Sequence, residues 1–164
     1  MGHKLAIFWS CHDIDAFVRA IVQRVSRAQV RSGGRVLGQI GPGFAVLLGV
    51  AAGDSEADAQ FIADRTLKMR VFGDSAGKMN LALDAVNGAL LAVSQFTLLA
   101  DTGAGRRPSF TGAAAPDDAR RLYEHFIWLV RERGVRVETG EFGATMELEL
   151  VNDGPVTIFL DSRA

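Results

Sequence analysis

From Val18 onward apolar and polar positions nearly alternate, through Val18, Ala20, Val22 and Val25 and on to Val30 with Arg24, Ser26, Arg27 and Gln29 between them. A period of two predicts a strand with one buried face. Ser32-Gly33-Gly34 is a hairpin signal, because glycine reaches positive φ without a Cβ clash. Arg35 to Ile40 returns as a second strand, Gly41-Pro42-Gly43 punctuates, and the apolar run Phe44 to Val50 predicts a third, fully buried strand. The period then changes. Ala59, Ile62, Thr66 and Met69 recur at helical spacing behind Ser55 and Asp58, a capping-box pair, so a helix is expected over about 55–69. Gly73 to Gly77 is a polar turn, and Ala89 to Phe96 reads as a strong strand. Thr102 to Ser109 is a glycine-rich loop. Pro116-Asp117-Asp118 opens a second helix with a Leu122, Phe126, Leu129 and Val130 stripe, ended by Gly134. Val135 to Glu138, Met146 to Val151 and Val156 to Leu160 are expected as the last strands, with a turn between the final two.

These elements give a single α+β domain over residues 18–164: a curled, mostly antiparallel, barrel-like sheet with two helices packed on one side. Residues 1–17 lack a clear period and are expected to be a disordered extension. The 164-residue length suits one domain. No apolar run approaches the ~20 residues of a membrane span, and the start makes a poor signal peptide. A single cysteine cannot form an internal disulfide, so a reducing cytoplasm is the expected compartment. A formal net charge of −1 argues against a protein that coats nucleic acid, DNA included. It does not argue against an enzyme that grips only the end of an RNA strand.

The chain lacks a P-loop, a nucleophile elbow, a dinucleotide fingerprint and a paired-cysteine zinc site. No cluster of His, Cys and carboxylates has ligand spacing, so neither metal nor cofactor is expected. Cys11 and His12 are adjacent and point to opposite faces if extended, which favours a tail over a thiol site. His125 sits on the second helix, between its apolar and polar faces, with no carboxylate placed beside it. Arg106-Arg107 is a small basic spot that suits phosphate and a solvated turn equally. Two segments stand out. Ser94-Gln95-Phe96-Thr97 closes a very apolar strand with polar groups, which cost desolvation unless they meet partners or a ligand. Asn152-Asp153-Gly154-Pro155 is composed entirely of turn formers.

Together, Ser94-Gln95-Phe96-Thr97-Leu98 and Asn152-Asp153-Gly154-Pro155-Val156-Thr157 resemble the two signature motifs of D-aminoacyl-tRNA deacylases. The resemblance extends from Val18 to Asp161 and includes Ala20 to Val25, Gly77-Lys78-Met79-Asn80, Arg107 to Gly112 and Thr139 to Gly143. Residues 1–17 fall outside it, and Leu99 stands where many members carry an aromatic or alanine. The resemblance implies a homodimer that hydrolyses the ester of D-aminoacyl-tRNA, and of mischarged glycyl-tRNA, at two interfacial sites. It places Ser94, Gln95, Phe96 and Thr97 in one wall. A cis Gly154-Pro155 pair from the other subunit forms the facing wall and acts as a chiral filter. Arg24 matches the arginine that holds that pair, and Phe142 and Met146 match residues lining the pocket for the terminal adenosine.

A backbone wall rejects the L configuration at the α carbon without reading the side chain. That suits an enzyme accepting many D-amino acids. An aminoacyl ester is already activated, so a water, backbone N–H groups near Phe96 and Thr97, and the terminal ribose 2′-hydroxyl suffice for the expected chemistry. Thr97 as a covalent nucleophile is the alternative, but nothing in the sequence supplies its base. Two rival functions remain: an L-alanyl-tRNA-directed deacylase of the same fold, and a non-catalytic module binding the tRNA 3′ end. The strand motif in its D-specific form and the presence of Arg24 favour the D-directed enzyme.

Overall fold

A computed structural model describes residues 17–103 and 105–163. The expected disorder of residues 1–17 and the reading of Cys11-His12 therefore lie outside the described residues, apart from Phe17, whose ring sits 4.6 Å from the Arg163 guanidinium. The elements in chain order are β1 (Arg19–Ser32), β2 (Arg35–Ile40), β3 (Gly43–Gly49), α1 (Glu56–Lys68), β4 (Phe72–Gly73), β5 (Met79–Leu81), β6 (Ala89–Ser94), α2 (Pro116–Glu132), β7 (Val137–Thr139) and β8 (Glu147–Asp161). Short 3-10 turns cover Asp84–Val86 and Phe96–Leu99.

β1 organises the sheet. Its first half pairs antiparallel with β3, from Arg19 opposite Gly49 to Val25 opposite Gly43. Its second half pairs with β2 across the Gly33-Gly34 turn, where both glycines have positive φ. β3 and β6 are parallel, as are β6 and β7, so the sheet is mixed, with antiparallel pairs in the majority as expected. The parallel pairs arise because the links between these strands run through α1 and α2, crossovers that return each strand in the same direction. β7 then comes back towards β2: Arg136 donates to the Gln39 carbonyl at 3.3 Å, and a Cβ on Gly38 would lie 2.9 Å from the Thr139 carbonyl. The sheet is thereby nearly closed into a barrel.

Both helices cover one face of this sheet. Val22, Phe44, Ile62, Leu90 and Phe126 are fully or almost fully buried there, each contributing roughly 1.5–3 kcal/mol. α1 starts where Asp58 accepts from both the Ser55 backbone N–H (2.9 Å) and hydroxyl (2.7 Å), which satisfies the helix entry. The opposite face encloses Val25, Val30, Ala45, Leu91 and Val93. No described helix is long and apolar enough to cross a membrane.

Two predicted boundaries change in ways that matter. β6 ends at Ser94, not Phe96: the Gln95 N–H makes the last bond to β3, at the Leu48 carbonyl (2.8 Å), and the chain then folds into the 3-10 turn, where the Leu98 N–H bonds the Gln95 carbonyl. The turn expected between the last two strands does not exist. Both halves belong to β8, and both pair antiparallel with β1. Between Thr157 and Val151 β8 covers six residue steps while β1 covers four, Gln23 to Arg27, so Asp153-Gly154-Pro155 bulges out of the ladder. Proline is tolerated there because it has no N–H to give to a ladder. The Asn152 side-chain amide bridges the gap, donating to the Arg24 and Val156 carbonyls at 2.9 Å each.

Candidate active site

β3 and β6 end side by side, Leu48 opposite Ser94, and their C-terminal ends open into a cavity of about 280 Å³. Ligand sites in parallel sheets commonly lie at this end. Ser94, Gln95 and Phe96 form one side of the cavity, Phe142 and Met146 another, with Tyr123 from α2 and Leu47 on β3 completing it. The structure thus gathers five of the sequence-predicted residues around one hollow.

Gly49 sets the position of the turn that carries Gln95 and Phe96. A Cβ there would meet Leu99 Cδ2 at 2.6 Å and the Gln95 carbonyl at 2.8 Å. Arg19 ties the turn from the other side, donating to the Leu98 carbonyl at 3.1 Å. Inside the turn the Leu98 N–H bonds the Gln95 carbonyl (3.2 Å) and the Ala100 N–H bonds the Thr97 carbonyl (3.1 Å). The N–H groups of Phe96 and Thr97 open the turn and, as first residues of a helical segment, have no carbonyl behind them to accept. Phe96 lines the cavity and Thr97, exposed, stands just outside its lining; two adjacent free donors in such a turn are suited to developing negative charge.

The Thr97 hydroxyl accepts from the Gln95 side-chain amide. Neither a histidine nor a carboxylate is among the described residues that line the cavity. Tyr123 is the one ionisable side chain among the described residues that line the cavity, and it is engaged: its hydroxyl donates to the Ala92 carbonyl at 2.9 Å, and burial pushes its pKa well above the ordinary tyrosine value. Phe142 lies 6.0 Å from the Tyr123 ring and carries the Arg120 guanidinium 4.7 Å above its face. Met146 fits because Gly140 has no Cβ; one added there would lie 2.5 Å from the Met146 sulfur. No group of three or more His, Cys, Asp or Glu capable of holding a metal occurs among the described residues.

Arg24, Gly154 and Pro155 form a second, separate cluster in the single chain. The Gly154-Pro155 peptide is cis, and both residues are exposed on the bulge of β8. The Arg24 side chain is only 14% exposed; its Nε donates to the Asp153 carbonyl and faces the Asp153 carboxylate, both at 3.2 Å, and its Nη1 reaches the Val71 carbonyl. Gly154 has φ of +123°, and a Cβ there would lie 2.9 Å from both Arg24 Nη2 and Val156 Cγ2. Only glycine accommodates both the backbone angle and the guanidinium.

Sequence reasoning overlooked Tyr123, which stands beside the apolar stripe of the helix, and Gly49, hidden in an apolar run. It also missed Phe110, whose ring meets Phe96 edge-on at 5.0 Å. His125 is half-buried against Trp128, with ring centroids 5.6 Å apart and stacked, away from the cavity. Arg106 and Arg107 are exposed in the loop after Asp101.

The family model described as D-Tyr-tRNA(Tyr) deacylase matches residues 21–161. A D-aminoacyl-tRNA deacylase of Dehalococcoides mccartyi is 58% identical over 146 residues, covering 89% of this chain and 95% of its own. One from Anaeromyxobacter dehalogenans is also 58% identical and is covered to 98% of its length. Among solved structures, the c-Myc DNA Unwinding Element Binding Protein superposes with a TM-score of 0.81 at 37% identity, covering 87% of this chain and 97% of its own. A probable eukaryotic D-amino acid tRNA deacylase, 18% identical, shares the fold with a TM-score of 0.79, covering 88% of this chain and 99% of its own. With the matched motifs gathered at one cavity and one bulge, and the match running nearly end to end, the chain belongs to the D-Tyr-tRNA(Tyr) deacylase family.

Proposed function

We propose that this protein hydrolyses the ester between a D-amino acid and the 3′-terminal ribose of tRNA, and likewise that of glycyl-tRNA. The observation that carries this reading is the largely apolar cavity lined by Ser94, Gln95 and Phe96, with the unbonded Phe96 and Thr97 N–H groups in the turn that borders it and no carboxylate, histidine, lysine or arginine among the described residues that line it. Such a site lowers the barrier for an already activated ester by holding it and stabilising an oxyanion. Water adds to the ester carbonyl carbon, and the negative oxygen faces the two N–H groups. The C–O bond to the ribose then breaks, and the proton lost by the water passes by way of the 2′-hydroxyl to the leaving 3′-oxygen. Free amino acid and tRNA are the products. Phe142 and Met146 hold the adenine, and Thr97 positions substrate through Gln95.

In this reading the chain works as a homodimer, and the partner subunit's Gly154 and Pro155 close the cavity. Three features favour a partner on this side. Among the described residues β8 pairs on one edge only, leaving a fifteen-residue strand edge open. Phe159 on β8 is 56% exposed; it lies opposite Ile21, which lies opposite Leu47, and Leu47 lines the cavity. This apolar row therefore leads from the open edge to the site. A two-fold interface would use it twice and bring each bulge towards the other subunit's cavity. The bulge, braced by Arg24 and Asn152, then acts as a rigid wall. It leaves room for hydrogen on one face of the α carbon and excludes a side chain there, so D-aminoacyl and glycyl esters enter and L-esters do not.

Binding of a DNA unwinding element, the property named for one structural neighbour, has less support in a chain of formal net charge −1. An L-alanyl-directed enzyme has less support because Arg24 and the D-type strand motif are both present. Incubation with D-tyrosyl-tRNA separates an enzyme from a binding module. Catalytic release of free tyrosine, many turnovers per protein, is expected; stoichiometric binding without release would refute the assignment.

A further inference from the structure

A second hollow, about 550 Å³, adjoins the cavity and shares Tyr123 and Phe142 with it. One side is a stripe of α2: Arg120, Glu124, Trp128 and Arg131 recur at spacings of three and four, and so line one helix face. Arg35 on β2 and Glu141 stand on the other side. Trp128 is 54% exposed, with one ring face stacked on His125. A large aromatic in that position, braced from behind and open in front, has no packing role that accounts for its exposure. Arg120 marks the end nearest Phe142, and Trp128 lies two turns further along the helix, about 12 Å away at 1.5 Å per residue.

We infer that this groove holds the unpaired nucleotides immediately preceding the terminal adenosine, with a base stacked on Trp128 and a phosphate beside Arg35 and Arg120. The inference rests on the deacylase reading, since it assumes that adenosine occupies the neighbourhood of Phe142. Continuity is the first argument: a strand leaving the adenosine pocket past Phe142 passes directly into the groove. The second is chemistry, because an aromatic platform flanked by guanidinium groups is how single-stranded RNA is gripped without a sequence code. Arg131 is partly committed, donating to the Val137 carbonyl at 3.1 Å. Arg35 is paired only loosely, 4.0 Å from Glu141 with 76% of its side chain exposed, so a phosphate can take that guanidinium. The Glu124 and Glu141 carboxylates offset much of the positive charge, so stacking supplies most of the hold.

The test compares D-tyrosyl-tRNA with the D-tyrosyl ester of adenosine alone, which lacks the preceding nucleotides. In Trp128→Ala, kcat/KM on D-tyrosyl-tRNA is expected to fall roughly five- to hundred-fold. The loss should appear mainly in KM, and Trp128→Phe should recover most of it. The adenosine ester should be cleaved by both variants within twofold of the unaltered rate. Arg35→Ala gives an independent arm: the slope of log kcat/KM against log salt for tRNA should flatten by about 0.7, the share of one phosphate. An equal loss on both substrates would make Trp128 merely structural and overturn the inference, as would an unchanged rate on tRNA. Failure of the unaltered protein to cleave either substrate would instead overturn the deacylase reading, and the groove with it.

Discussion

Replacing Arg24 by methionine keeps the aliphatic stem and removes the guanidinium that joins the β8 bulge to the core. Two sets of bonds are lost. The bond to the Val71 carbonyl anchors a nearly buried charge to the body of the protein. Hydrogen bonds from charged groups are worth about 1.5–3 kcal/mol each, so this loss should lower global stability by that amount. For a chain of this size it corresponds to a fall in Tm of roughly 4–10 °C. The contacts at 3.2 Å to the Asp153 carbonyl and carboxylate act on the bulge alone. The carboxylate is mostly exposed and contributes little; the carbonyl bond fixes the residue preceding Gly154. Loosening that wall by about 1.5–3 kcal/mol should cost ten- to hundred-fold in kcat/KM on D-tyrosyl-tRNA. It should also raise the relative rate on L-tyrosyl-tRNA, because a mobile wall excludes less. The assay is initial-rate release of tyrosine from both esters, well below the variant's own Tm. A folded Arg24→Met protein with both rates within twofold of the unaltered enzyme would refute the bracing role.

Gly49→Ala places a methyl 2.6 Å from Leu99 and 2.8 Å from the Gln95 carbonyl. Overpacking costs about 1–3 kcal/mol, and a turn shifted by about 1 Å should cost near 100-fold in kcat; unchanged turnover would show that the turn does not carry the chemistry. Phe159→Glu puts a charge on the proposed interface and should convert a sedimenting dimer into an inactive monomer; a fully active monomer would remove the shared site. Asp54 is half-buried, and burial is the main cause raising its carboxyl pKa to about 6, with Asp58 adding to it. The folded state therefore holds this proton more tightly than the unfolded chain, and stability from this group falls as pH rises through about 4 to 6. Asp54→Asn, which can still accept from the Ala51 N–H, should be more stable at pH 7.5 by about 1 kcal/mol after allowance for solvent screening. The advantage should vanish near pH 4, and Tm measured across pH checks both ends.

The periodic part of this fold was legible because each element's burial follows its own sequence. β1, β2, β3 and both helices lie within a residue or two of where alternation, Gly33-Gly34, Ser55 and Gly134 placed them. What failed was decided by partners distant in the chain. Asn152-Asp153-Gly154-Pro155 has the composition of a reversing turn, yet β1 pairs with the chain on both sides of it, and Asn152 repairs the broken ladder. Phe96 looked like the end of a strand, but Gly49, forty-five residues before Ser94, lets the chain fold across β3 instead. The residues of the candidate site stood out as motifs, while their arrangement in space did not. Ser94, Gln95, Phe96, Phe142 and Met146 meet at one cavity, whereas Gly154, Pro155 and Arg24 belong to a bulge of their own in the single chain. In the proposed dimer a second subunit brings the two together, an arrangement no local pattern encodes.

The central claim is selection at the α carbon, and one measurement addresses it directly: kcat/KM of the unaltered protein on a single tRNA species carrying D-tyrosine, L-tyrosine or glycine. An exclusion wall predicts that D-tyrosyl- and glycyl-tRNA are both cleaved. L-tyrosyl-tRNA should be slower by at least about 10³-fold, or roughly 4 kcal/mol of discrimination. Efficient cleavage of L-tyrosyl-tRNA, within about tenfold of the D ester, would contradict the account.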